Sequence, residues 1–158
     1  MYPYRKAYTV SEAIAKMEYY CSYRERCHKE VQTKLREMRM IPDAIDQIIT
    51  HLIREDYLNE ERFARAFARG KHHIKNWGRN RIVSELKSRN ISKFNIANAL
   101  EEVDEKNYIQ NFNILAEKRL AQIKETDPQK RRRKLADYLL YRGWESNLVY
   151  DKVRELIV

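Results

Sequence analysis

Between Arg62 and Lys93 the chain carries ten Lys or Arg residues against a single acid, Glu85. Cationic side chains at this density bind phosphates or pair with acidic protein surfaces, and the planar fork of arginine suits both. Arg62, Arg65, Arg69 and His72 follow one another at three- and four-residue steps. That spacing places them on one side of a helix, with Lys71 and Lys75 beside them. Arg79 and Arg81 open the segment that follows, and Lys130, Arg131, Arg132, Arg133 and Lys134 form a second basic run. Trp77 reads first as a core or turn residue and second as a face on which a base could stack. For the arginines a solvated helix face competes with a binding face, and residue types alone do not choose between them.

Other chemistries find little support. The histidines are His28, His51, His72 and His73. Neighbours on a helix point to different sides, so the pair His72-His73 chelates poorly, and Cys21, Cys27 and His28 lack the spacing of a structural zinc site. There is no P-loop and no GxGxxG signature. Glu60-Glu61 and Glu101-Glu102 read as helix-end charges rather than catalytic carboxylates. The expectation is a non-enzymatic binding protein with no catalytic residues, metal or cofactor. A helix-turn-helix reading is weak, because the most basic helix comes first in its group and nothing points to base-specific readout.

The formal net charge of +9 is segregated along the chain. Residues 62–93 are strongly basic, and residues 118–142 hold nine bases against three acids, while 1–61, 94–117 and 143–158 are each slightly acidic. Blocks of one sign favour a polyanionic partner, either nucleic acid or an acidic protein surface. Two cysteines outside any CxxC pair suggest reduced thiols, and the N-terminus lacks the apolar run of a signal peptide. No stretch approaches the roughly 20 apolar residues of a membrane span. A cytoplasmic protein without membrane contact is expected.

Helices must position these groups, since only three glycines and three prolines interrupt the chain. Residues 1–10 form a tail whose Tyr2, Tyr4 and Tyr8 either dock on the body or leave it loose. Ser11-Glu12 caps a first helix carrying Ile14, Met17 and Cys21. Ser22-x-x-Glu25 reads as a capping box for a second helix, faced by Val31, Leu35 and Met38. Pro42 and Asp43 open a third, with Ile45, Ile48, Ile49 and Leu52 on one stripe. Asn59 caps a fourth helix running to about residue 75, whose Phe63, Phe67, Gly70 and Ile74 form the expected core face. Gly78 is the expected positive-φ stop behind it. Further helices follow near 79–89, 93–103, 105–123, from Pro128 to a stop at Gly143, and 145–157. Ser92 and Asp127 are their caps, and Pro128 takes the first helical position.

These helices repeat. Setting Met40, Ile91 and Trp144 as equivalent aligns Val31 with Ile82 and Leu135, and Leu35 with Leu86 and Leu139. Ile45, Ile96 and Val149 then coincide, as do Ile49, Leu100 and Val153, and Leu52, Val103 and Leu156. Agreement at all of these apolar positions makes an internal repeat. A unit of about 50 residues buries little by itself, so such units pack in a row. The expected architecture is all-α: an N-terminal tail at 1–10, then tandem three-helix repeats at 11–57, 58–103 and 104–158, forming an elongated, curved array.

The run from Asp56 through Asn59-Glu60-Glu61-Arg62-Phe63 to Phe67, then Trp77-Gly78-Arg79-Asn80-Arg81-Ile82 and Glu85-Leu86, resembles the RecX family of recombinase regulators. Asp127-Pro128, Lys130-Arg131, Lys134-Leu135 and Arg142-Gly143-Trp144 resemble its C-terminal repeat. The match covers nearly everything after residue 11, is most specific over 56–91 and is weakest in the first repeat. Asn90 stands where the family usually has Gly; Asn also tolerates the left-handed conformation. The resemblance implies tandem three-helix repeats and binding to the RecA recombinase filament on single-stranded DNA. It also implies damping of ATPase, strand exchange and co-protease activities, limited filament growth and no catalytic residues. The protein would act as a monomer contacting RecA and the DNA backbone. A stand-alone non-specific DNA-binding protein is the alternative.

Overall fold

The computed structural model describes residues 7–158, so Tyr2 and Tyr4 lie outside the described residues. The described residues form nine helices and no strand: α1 (Val10–Tyr23), α2 (His28–Glu37), α3 (Pro42–Arg54), α4 (Glu60–Lys75), α5 (Arg79–Ser88), α6 (Lys93–Leu100), α7 (Glu105–Gln122), α8 (Pro128–Tyr141) and α9 (Ser146–Leu156). Helix packing falls into triplets: α1 and α2 on α3, then α4, α5 and α6 on one another, then α7, α8 and α9. Each triplet surrounds its own apolar centre. The chain exposes 10472 Å², against roughly 8,400 Å² for a compact monomer of this mass. A row of small units has that excess surface.

The repeat is visible in the core and in the backbone. Val31, Ile82 and Leu135, and Leu35, Leu86 and Leu139, are all 0% exposed. One residue before Met40, Ile91 and Trp144 stand Arg39, Asn90 and Gly143, with φ of 62, 59 and 93°. After each, the next N–H turns back to the carbonyl of Leu35, Leu86 or Leu139, at 3.1, 3.1 and 3.2 Å. This left-handed stop ends the middle helix of every triplet and aims its third helix back across the core.

Several local boundaries differ from the sequence expectation. Thr9, not Ser11, caps α1: its side chain accepts from Glu12 N–H at 3.1 Å while the Glu12 carboxylate accepts from Thr9 N–H at 3.2 Å. Tyr8 therefore leaves the tail and lies against the first core, its hydroxyl accepting from Lys16 Nζ at 2.9 Å. Ser22 caps nothing, because its hydroxyl donates to the Glu18 carbonyl within α1; α2 starts later, behind Cys27. The left-handed residue ending α4 is Asn76, with φ 57°, whereas Gly78 has φ −80°.

Gly78 serves a different purpose. A Cβ there would stand 2.4 Å from the Gly143 carbonyl oxygen, and one on Gly143 would stand 2.3 Å from Arg81 Cβ. The bare backbones let two loops of neighbouring triplets touch: Gly78 N–H donates to Arg142 O at 2.8 Å and Asn80 N–H to Gly143 O at 3.0 Å.

Candidate binding interface

The basic helix α4 is started by Asn59, whose side chain accepts from Arg62 N–H at 2.9 Å. Its buried residues are Phe63, Ala64, Ala68 and His72. His72 thus belongs to the seam and not to the outer cationic face expected for it: it is 1% exposed. Its Nδ1–H donates to the Trp77 carbonyl at 3.0 Å, which leaves Nε2 to accept from Asn111 Nδ2 at 3.1 Å. The ring stacks on Tyr108 at 5.4 Å and meets Trp144 edge-on at 5.8 Å. Burial pulls its pKa below the ordinary 6.5; the bond to the Trp77 carbonyl opposes this, and the charges of His73 and Arg79 reinforce it. A doubly hydrogen-bonded imidazole in an aromatic box ties the second triplet to the third and presents no free ring nitrogen at the surface.

The arginine row is also largely committed. Arg62 Nε donates to Glu25 at 2.6 Å, and its other nitrogens reach the Asp56 carboxylate at 3.1 Å and carbonyl at 3.0 Å. Arg65 pairs with Glu61, Glu101 and Glu102 at 3.3, 3.5 and 3.2 Å, and Arg69 with Glu102 at 3.1 Å. Partial desolvation pushes the Glu102 carboxyl up, but hydrogen bonds from Arg69 and Arg65 prevail and hold it below its usual range. Arg79 bonds Glu105 and lies 3.9 Å from Glu145. Much of the expected binding face is a set of internal clasps.

The cations left over lie together elsewhere. Among the described residues, Lys71, Lys75 and Arg81 have no carboxylate partner. Lys71 and Arg81 belong to a ladder of alternating aromatic and cationic groups. Arg81 lies 4.8 Å from the Tyr141 ring centre and 4.2 Å from that of Trp77. Lys71 lies 5.1 Å from Trp77 and 5.5 Å from Phe67, and Arg89 sits 4.8 Å over Phe67. Cation–π contacts hold such side chains in place without neutralising them. Sequence reasoning missed Phe67, Arg89 and Tyr141 as members. The four-residue step from Phe67 to Lys71 was the available signal; Tyr141 comes from another triplet and gave none.

The second basic run occupies the first two turns of α8, which Asp127 caps. Arg132 Nε donates to the Ile157 carbonyl at 3.1 Å and Lys134 pairs with Glu125 at 3.7 Å. Lys130, Arg131 and Arg133 have no carboxylate partner among the described residues. Cations at a helix N-terminus oppose the dipole, so this placement does not stabilise the fold.

A slot of about 320 Å³ opens where α4 meets the first triplet, with Phe67, Gly70 and Ile74 on one side and Arg24 and Glu25 on the other. The stripe expected to face the core therefore turns partly outward: Phe63 is buried, but Ile74 is 76% exposed. Cys21 and Cys27 are buried free thiols, and burial pushes Cys21 up to about 11, so neither is an activated nucleophile. Among the described residues no group of His, Cys, Asp and Glu is arranged to hold a metal ion, and no helix is long and apolar enough to cross a membrane.

Residues 59–100 match a family model described as the RecX second three-helix domain, and residues 107–153 match the RecX third three-helix domain. Together they span more than half of the chain. Regulatory protein RecX of Clostridium botulinum is 30% identical over 84% of this chain and 62% of that protein. Regulatory protein RecX of Bacillus cytotoxicus is 24% identical over 93% of this chain and 54% of that protein. The chain spans about half the length of several curated relatives it matches. Among solved structures, that of RecX from Lactobacillus salivarius has a TM-score of 0.77 at 25% identity, covering 94% of this chain and 96% of that one. A second, a crystal structure of regulatory protein RecX, has a TM-score of 0.81 at 20% identity, covering 92% and 73%, and is a likeness of fold.

Proposed function

The chain belongs to the RecX family, and from that premise we propose that it regulates the RecA recombinase, mainly as an inhibitor. It lies along the RecA filament on single-stranded DNA as a cytoplasmic monomer and limits ATP hydrolysis, strand exchange and filament growth. The repeats at 11–57, 58–103 and 104–158 are its working units. The observation that carries this reading is the ledge of unpaired Lys71 and Arg81 against Trp77 and Tyr141, with the exposed Lys75 one turn further along α4. Such a ledge suits a phosphate backbone: positive charge held in register by rings, with no carboxylate to displace. Lys130, Arg131 and Arg133 extend the positive surface to the third triplet. Arg62, Arg65 and Arg79 serve the fold more than the partner.

The test is a triple variant, Lys71→Ala, Lys75→Ala and Arg81→Ala, added to RecA hydrolysing ATP on single-stranded DNA. Inhibition should weaken markedly, and binding to the coated DNA should lose salt dependence as fewer phosphates are neutralised. Unchanged inhibition by the folded variant would move the contact to the α8 run. A stand-alone DNA-binding protein needs only phosphates, which the same ledge also suits. Equal affinity for naked and RecA-coated DNA at physiological salt would favour that second reading.

A further inference from the structure

We propose that the open stripe of α4 is a docking groove for an amphipathic helix of a partner protein, one whose apolar face is flanked by acids. The inference goes beyond the reading above and does not depend on which protein supplies that helix. It starts from Gly70. Glycine inside a helix is the poorest choice after proline, yet a Cβ at Gly70 would meet nothing within 4 Å. The chain's own packing therefore does not require a bare backbone there; a second helix approaching closely would use one. Ala66, Phe67 and Ile74 flank Gly70 at helical spacing and line the same slot. Phe67, Gly70 and Ile74 stand at i, i+3 and i+7, the spacing of a single helix face that a second helix can pack along. A volume of about 320 Å³ accommodates an anchor side chain or two.

Charge selects the occupant. Arg24, Lys71 and Lys75 line the slot and have no carboxylate partner among the described residues. Glu25 pairs through Oε1 with Arg62 at 2.6 Å and Glu30 lies 3.9 Å from Arg89, so two acids face four cations, Arg24, Lys71, Lys75 and Arg89. The rim is net positive and complements an acidic helix. A nucleobase fits less well, because Lys71 and Arg89 already cover the Phe67 ring at 5.5 and 4.8 Å.

The experiment uses fluorescein-labelled synthetic helices of about 15–20 residues, a panel with Leu or Phe at i, i+3, i+4 and i+7 and Glu elsewhere. Anisotropy should show saturable binding to the full chain. Gly70→Leu, which fills the slot from α4 itself, should weaken binding by at least about tenfold with an unchanged circular dichroism spectrum and unchanged affinity for oligo-dT. Lys71→Glu should weaken the peptide as well. Any of three results overturns the proposal. The first is no binding by any panel member at about 1 mM. The second is equal binding by scrambled peptides of the same composition, which would make the attraction charge alone. The third is a Gly70→Leu variant that keeps peptide affinity or loses oligo-dT instead, the latter giving the slot to nucleic acid. The RecA assays do not enter these outcomes, so the two readings fail separately.

Discussion

The two joints between triplets are built from different chemistry. The first triplet meets the second through charges: His28 with Glu60 at 3.1 Å, Arg62 with Glu25 at 2.6 Å, Arg89 with Glu30 at 3.9 Å, and Lys29 Nζ donating to Ser88 O at 2.7 Å. The apolar links are Cys27, a first-triplet residue buried in the second core, and Leu58, from the start of the second unit, buried in the first. The second triplet meets the third mainly through backbone and rings, with one ion-pair cluster of Arg79 on Glu105 and Glu145. Gly78 and Asn80 hydrogen-bond the Arg142-Gly143 loop, Trp144 Nε1 donates to Asn76 O at 3.1 Å, and Tyr108 bridges Arg79 N–H and Glu145. Partly exposed ion pairs are damped by water and screened by salt, whereas a desolvated aromatic box is not. One repeat unit thus has an adjustable joint on one side and a stiff one on the other. The cationic ledge bridges the stiff pair, and the α4 groove opens at the adjustable joint.

Trp144 anchors the stiff joint: it is 1% exposed and packs on His72, Tyr108 and Phe112. Trp144→Ala should cost about 3–5 kcal/mol, measured by urea unfolding, and should leave the salt dependence of stability unchanged. A loss below about 1 kcal/mol would mean that the stiff joint is not part of the cooperative core.

A second, smaller effect separates the joints by pH. Burial first, then neighbouring charges, holds the folded His72 pKa below 6.5. Between that lowered value and 6.5 the unfolded chain binds more protons, so this stability is complete above 6.5 and is lost as pH falls through the window. Glu60, in the other joint, is shifted the opposite way: burial raises it against the pull of His28, so its contribution is lost as pH rises. Acidification from pH 7 to 5 should therefore weaken the second joint first, seen as a red shift of buried tryptophan emission. His72→Gln should flatten that response; an identical profile in the variant would remove His72 as its source.

The repeat was legible in the sequence because core positions obey helical spacing, and Leu35, Leu86 and Leu139 recur whatever surrounds them. The candidate site was legible only in part. Periodicity correctly grouped Arg62, Arg65 and Arg69, but it cannot say what faces the group. Glu25, Glu101 and Glu102 arrive from more than thirty residues away, and they turn a binding face into clasps. His72 was misread for the same reason: Tyr108, Asn111 and Trp144, which make it a core residue, belong to the next triplet. Gly78 was legible as special but not why, since the loop it touches is distant in sequence.

The smallest expected effect tests the adjustable joint itself. Arg62 links Glu25 of the first triplet to the Asp56 turn, and its side chain is 38% exposed. Coulomb attraction at such a site is damped by water and ions, so Arg62→Ala should cost about 0.2–1 kcal/mol at low salt. The cost should shrink further as salt rises toward 1 M, where screening acts over about 3 Å. Glu25→Gln should cost a similar amount, and the double variant little more than either, because one interaction is being removed twice. Urea midpoints of the wild type and the three variants at low and high salt decide the matter. A loss above about 2 kcal/mol that ignores salt would show a desolvated bond, making the first joint as stiff as the second and closing the contrast between them.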